Sequence, residues 1–168
     1  MTRFESTNVS TAAVPAPRDA IWAIVTSPQA LAELTPLIDR IAADGDTWCW
    51  KLKPIAALGV RIEPSFTEQM TFDGEERMTF EHRPPAGTSE LAGARGVYTL
   101  ADRPDGGTDL SVDITIHVEL PLPKISRRAV ERVMAAMMSR TGDKFAENLY
   151  ARLGIDASAA SMRPSVDA

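Results

Sequence analysis

Three polar side chains occupy places that an alternating strand reserves for apolar ones. Glu68 lies between Phe66 and Met70, His82 continues the parity of Met78 and Phe80, and Tyr98 shares a side with Leu100. Residues two apart on a strand face the same way, so each of the three points with greasy neighbours. A buried polar group without a partner costs about 1–3 kcal/mol, so such exceptions call for a reason. A carboxyl, an imidazole and a phenol in an apolar pocket can orient a bound molecule or move a proton. The blander alternative is that Glu68 and His82 reach water at strand ends, or that Glu68 meets an arginine. Whether the two meet each other depends on the Asp73-Gly74 hairpin. If both strands turn their apolar sides inward, the loop holds an odd number of residues, as in a three-residue turn with Gly74 left-handed. That register sets Glu68 opposite Met78; a slip of two sets it opposite Phe80 and diagonal to His82.

The other reactive side chains give less. His117 shares a face with Asp113, Thr115 and Glu119, the expected wet side, where acidic neighbours raise its affinity for a proton. Two histidines on different faces and a single cysteine argue against a metal site. Cys49 alternates out of phase with Trp48 and Trp50 and has only Lys51 as a cationic neighbour, so no nucleophilic role is expected. No catalytic signature or cofactor motif stands out, and no cofactor is expected.

The elements that must position these groups follow from period and punctuation. Residues 4–14 read as a strand, closed by Pro15-Ala16-Pro17. Arg18 to Val25 and Pro28 to Leu34 read as two short helices, the second opened by Ser27-Pro28, a capping hydroxyl before a proline at the first helical position. From Ile38 the period becomes two. Trp48, Trp50 and Leu52 alternate with polar residues, as do Val60, Ile62, Phe66, Met70 and Phe72, then Met78 and Phe80. Residues 90–101 form a further strand. From Asp109 to Leu120 every even residue is apolar and every odd one polar, the pattern of an antiparallel sheet with one wet face. Ala92-Gly93-Ala94-Arg95-Gly96 is small apart from its arginine, and either leaves space in the sheet or permits a bend. The stretch Pro121 to Leu153 then carries Val130, Val133, Met134, Met137, Thr141, Phe145 and Leu149 at helical spacing, and needs a sheet to cover. Gly142 within it allows a kink or a close approach.

Bulk properties set outer bounds. The chain has 168 residues, 44% apolar content and a net charge of −5. That is long enough for one domain with a real core, expected over 1–154, with a small, polar, mobile tail over 155–168. No apolar run reaches the roughly 18 residues of a membrane span. The acidic balance argues against general nucleic-acid binding. The basic cluster Lys124, Arg127, Arg128 and Arg132 reads as a solvated helix face. An N-terminus without an apolar secretory segment and a lone cysteine fit a cytoplasmic setting.

The stretch from Ser10 through Pro15-Ala16-Pro17 to Trp22, with Ser27-Pro28 and Leu31 after it, resembles the opening of the START-like (SRPBCC) superfamily. That group includes the polyketide cyclase/dehydrase, lipid-transfer and birch-pollen-allergen proteins. Gly96-Val97-Tyr98-Thr99-Leu100 and Gly107-Thr108-Asp109-Leu110 resemble its last hairpin, and the likeness runs over residues 4–153. The resemblance implies an α+β helix-grip fold, a curved antiparallel sheet of about seven strands wrapped round the C-terminal helix. It also implies an apolar cavity between them that takes lipids, quinones, plant hormones or aromatic polyketides. The expected lining includes Trp48, Trp50, Phe66, Met70, Phe80, Tyr98, Met134 and Met137. Plain core packing must claim part of that set.

Three functions follow as expectations. The first is a non-catalytic carrier or sensor of a hydrophobic small molecule. The second is an aromatase/cyclase-type enzyme using Glu68, His82 or Tyr98. The third is an interaction scaffold using the apolar loop Pro54-Ile55-Ala56-Ala57-Leu58-Gly59, which otherwise reads as a lid and allows a transient membrane touch.

Overall fold

The computed structural model describes residues 1–156 and the backbone of 162–164. The order is β1 (Thr2–Val14), α1 (Arg18–Val25), α2 (Pro28–Leu34), β2 (Ile38–Asp44), β3 (Thr47–Leu52), β4 (Ile55–Ala57), β5 (Val60–Ile62), β6 (Ser65–Asp73), β7 (Arg77–His82), β8 (Ala92–Asp102), β9 (Thr108–Leu120), α3 (Arg127–Leu153) and β10 (Met162–Pro164). The main sheet is antiparallel, in the order β10-β1-β9-β8-β7-β6-β3-β2, and β4 and β5 form a separate hairpin. Without β10 the sheet has the seven strands expected, and the arrangement is the helix grip. The tail expected over 155–168 falls largely on residues 157–161 and 165–168, which lie outside the described residues. Met162–Pro164 pairs with Ser10–Ala12 on the outer edge of β1.

Local chemistry explains the breaks. Ser27 Oγ accepts the Ala30 N–H and caps α2, with Pro28 in its first turn. The alternation from Val60 to Phe72 is interrupted at Glu63-Pro64, because Pro64 has no N–H for a ladder. The expected apolar loop is a tight hairpin whose two turn residues, Leu58 and Gly59, both have positive φ, at 52° and 75°. Gly154, at φ 69°, ends α3, its N–H and that of Ile155 closing on the carbonyls of Ala151 and Tyr150.

Packing divides the interior in two. At one end Val14, Ile21, Val25, Leu34, Leu100, Leu110, Ala146, Leu149 and Tyr150 are all buried against one another. There α1, α2 and the last turns of α3 close on β1, β8 and β9. Asn148 Nδ2 donates to the Leu34 carbonyl at 2.9 Å, and Arg152 pairs with Glu33 at 2.8 Å. At the other end Val130 is buried, and the Arg127 guanidinium lies 5.6 Å from the centre of the Phe4 ring. Arg127 also donates to the Arg3 carbonyl. Between these anchors the middle of α3 is only half-buried at Val133, Met134, Met137, Met138 and Thr141.

Candidate functional site

Beneath the middle of α3 lies a cavity of about 280 Å³. The even residues of β9 from Leu110 to Leu120, Met70 on β6, Met78 and Phe80 on β7, and Ala92, Ala94 and Tyr98 on β8 form its sheet wall. Val133, Met134, Met137, Met138 and Thr141 form its helix wall, and the β4–β5 hairpin closes one side through Ile55, Ala57, Leu58, Val60 and Ile62. The lining is almost wholly apolar. Of the residues expected there, Trp50, Phe66, Met70, Phe80, Tyr98, Met134 and Met137 border it.

Trp48 does not. It is buried at 3% exposure, packed on Trp50 and Phe72 with ring centres about 6.1 Å away from each. Strand parity gives the face on which a side chain lies but not whether a void lies beyond it. Phe72, on the same face, sits edge-on against Trp22 and is partly exposed.

The hairpin register differs from the expectation. Its loop has three residues, Gly74 to Glu76, between the paired Asp73 and Arg77, and Gly74 is left-handed at φ 52°. The loop starts at Gly74 instead of ending there. Glu68 therefore stands opposite His82, not Met78, while Met70 faces Phe80 and Phe72 faces Met78.

Even so, the two side chains do not form a dyad. The His82 ring turns away from the cavity to the bare backbone of Gly93. A Cβ at Gly93 would lie 2.4 Å from both His82 Cγ and His117 Cε1, so only glycine leaves room for the two imidazoles. Their ring centres are 4.8 Å apart, nearly edge to face. His82 Nε2 lies 2.9 Å from Glu90 Oε2. Glu90 also accepts the Thr67 N–H and hydroxyl, each at 2.8 Å, which straps the loop before β8 to β6. The small stretch 92–96 thus leaves space in the sheet. Gly96 does the same, since a Cβ there would meet the Asp113 carbonyl and the Phe80 ring.

His117 is also corrected. It is on the outward parity, but it is buried at 4% exposure because the His82 ring covers it. Burial, with the positive charge of Arg3 next in weight, holds its proton affinity below the usual histidine range, opposite to the expected direction. Gly142 is no point of close approach, since a Cβ there would meet nothing.

Glu68 is the exceptional group. It is 1% exposed, lines the cavity, and its Oε2 has no hydrogen-bond partner among the described residues. Burial pushes its carboxyl well above the usual carboxylate range. Trp50 stands diagonal to it on β3, stacked on Phe66 with ring centres 6.3 Å apart. Its indole N–H favours the carboxylate, against the larger effect of burial, yet no hydrogen bond joins the two, and Trp50 Nε1 is likewise buried and without a partner among the described residues. Tyr98 packs edge-on against Phe80 at 5.9 Å. Burial, and next the nearby Glu68 charge, raise its phenol above the ordinary tyrosine range.

Some site features have no periodic signal. Glu90 sits in an aperiodic loop, and the Trp50 N–H is the polar tip of a residue read as apolar. Asn8 and Ser10 bring polar side chains to the cavity from β1. No group of three or more metal-ligating side chains occurs among the described residues. No helix among them is long and apolar enough to cross a membrane.

Comparison with known proteins agrees with this architecture. The family model described as polyketide cyclase / dehydrase and lipid transport matches residues 2–154, and the chain belongs to that family. A conserved protein from Geobacillus kaustophilus superposes with a TM-score of 0.63 at 15% identity, over 94% of this chain and 99% of its own. A Streptomyces aromatase/cyclase gives 0.61 at 13% identity, over 90% and 93%. A START superfamily protein from Mycobacterium smegmatis gives 0.57 at 17%, over 89% and 95%. These likenesses show the fold. No curated protein matches the chain in sequence.

Proposed function

We propose that the chain binds one hydrophobic small molecule, of lipid, quinone or polyketide-like character, between the sheet and α3, and serves as its carrier or sensor. The observation that carries this reading is the cavity of about 280 Å³ with apolar side chains on both walls. Buried apolar area contributes roughly 25 cal/mol per Å² when a guest replaces water, so such a lining favours a greasy occupant. Half-buried methionines on α3 adapt to varied shapes. Native mass spectrometry of the purified protein, followed by solvent extraction, tests the proposal. A co-purifying apolar molecule is expected. An empty protein that also takes up no apolar fluorescent probe would overturn it.

A second reading has one specific observation in its favour. Glu68 is a buried carboxyl held toward its uncharged form, facing the same cavity as the Tyr98 phenol, and so is equipped as a general acid. On that reading the protein is an aromatase/cyclase-type enzyme, the activity named for the Streptomyces neighbour. Glu68→Gln and Tyr98→Phe should then abolish turnover of a polyketide-like substrate without unfolding the protein. His82 is not part of this machinery, because its ring points at Glu90. The scaffold reading ranks below these, because Ile55, Ala57 and Leu58 border the cavity, which supports reading the hairpin as its lid. A cytoplasmic setting remains part of the proposal, as does a transient membrane contact during loading.

A further inference from the structure

We propose that Glu68 and Trp50 form a polar clamp that selects guests carrying a neutral carbonyl oxygen, a ketone or quinone, at the end seated against β3 and β6. This rests on the cavity reading above and adds the guest's chemistry to it. Glu68 is 1% exposed and lines the cavity with Oε2 unpartnered; Trp50 lines it too, with Nε1 buried and unpartnered. Trp48 stands directly opposite Glu68 in the ladder, and Trp50 directly opposite Phe66, so the two groups are diagonal neighbours on the inward face.

Donor and acceptor inventory then decides the partner. The indole N–H can only donate. A protonated carboxyl donates its O–H and keeps an acceptor oxygen. The desolvated surroundings of Glu68 favour that protonated form. A carbonyl oxygen has two lone pairs and can take both donors at once. An amine would need Glu68 ionised, against the desolvation that favours its protonated form. A carboxylate guest would place its charge in an apolar cavity with no lysine or arginine among the described residues that line it. A pure hydrocarbon would leave both donors unsatisfied.

The experiment uses fluorenone and fluorene, which differ by a carbonyl in place of a methylene, each displacing an apolar fluorescent probe from the intact protein. The ratio of their dissociation constants should favour fluorenone, and Glu68→Met should shift that ratio toward fluorene by about tenfold with little change for fluorene itself. Trp50→Phe should shift it in the same direction. A third measurement does not depend on either variant folding. The carbonyl stretch of fluorenone bound to the natural protein should lie below its position in hydrocarbon solvent, as a doubly hydrogen-bonded ketone requires.

The outcomes separate cleanly. If both compounds bind, the ratio ignores both substitutions and the carbonyl stretch stays at its hydrocarbon value, the clamp is wrong and the apolar cavity stands. If 9-aminofluorene, whose alkyl-type amine is a cation at neutral pH, binds better than fluorenone, Glu68 acts as a carboxylate and the clamp is likewise wrong. If the probe binds and neither compound displaces it, the clamp is wrong and the apolar cavity stands; if the protein takes up no probe at all, the cavity reading falls and the clamp falls with it.

Discussion

The two ends of the space under α3 are built on opposite principles. Around Ile21, Val25, Leu100 and Leu149 the side chains meet and fill it. Beneath Met134 and Met137 they line it without filling it. The same helix serves both, its last turns buried and its middle half-exposed. The difference separates two tasks. The packed end supplies stability, so the hollow part can be shaped for an occupant with little cost to folding.

The sharpest test of that division is a pair of truncations. Ile21→Ala at the packed end should cost about 2–5 kcal/mol of unfolding free energy. Met137→Ala over the cavity should cost under about 1 kcal/mol, because its side chain already lacks partners on one flank. Denaturant midpoints would measure both, and equal losses would break the comparison. Next in size is Glu90→Ala. It strands the Thr67 N–H and hydroxyl and frees the His82 ring, for a loss of about 1–3 kcal/mol by thermal unfolding. Gly142→Ala should stabilise by up to about 1 kcal/mol, since the new methyl meets nothing and the helix gains propensity. The smallest effect is a slope. The Glu68 carboxyl is raised in the folded state, so its contribution is complete below the ordinary glutamate range and is lost as pH rises through the raised value. Glu68→Gln should flatten that decline and raise the melting temperature at neutral pH; an unchanged profile would place Glu68 in water.

The same two regions differ in how far the chain reveals them. Strands and helices were legible because apolar residues recur at two or at three and four, and because Pro15, Pro17, Pro84 and Pro85 mark their ends. Parity placed Glu68 and Tyr98 on the inward face. It could not fix the register, which depends on whether a three-residue loop ends or begins at Gly74. Nor could it tell that His82 would turn outward. The β7–β8 pairing stops at Phe80–Gly96, and the ring fills the place of a side chain that Gly93 does not have. His117 lies on the predicted side, yet the covering ring comes from a distant strand. On β1 the apolar Val9 is 43% exposed, whereas the polar Asn8 and Ser10 face the cavity. Contacts of long sequence separation decide all of these, and no local period records them.

Leu58 at the tip of the β4–β5 hairpin holds φ at 52°, a conformation that side chains with a Cβ seldom adopt and that costs on the order of 1 kcal/mol or more. Because that hairpin stands apart from the main sheet, the tip can relax without breaking a rung of the long ladder. On the proposed carrier reading, this corner is the place where entry and escape would occur, so residence time would be set there and not by the lifetime of the folded molecule.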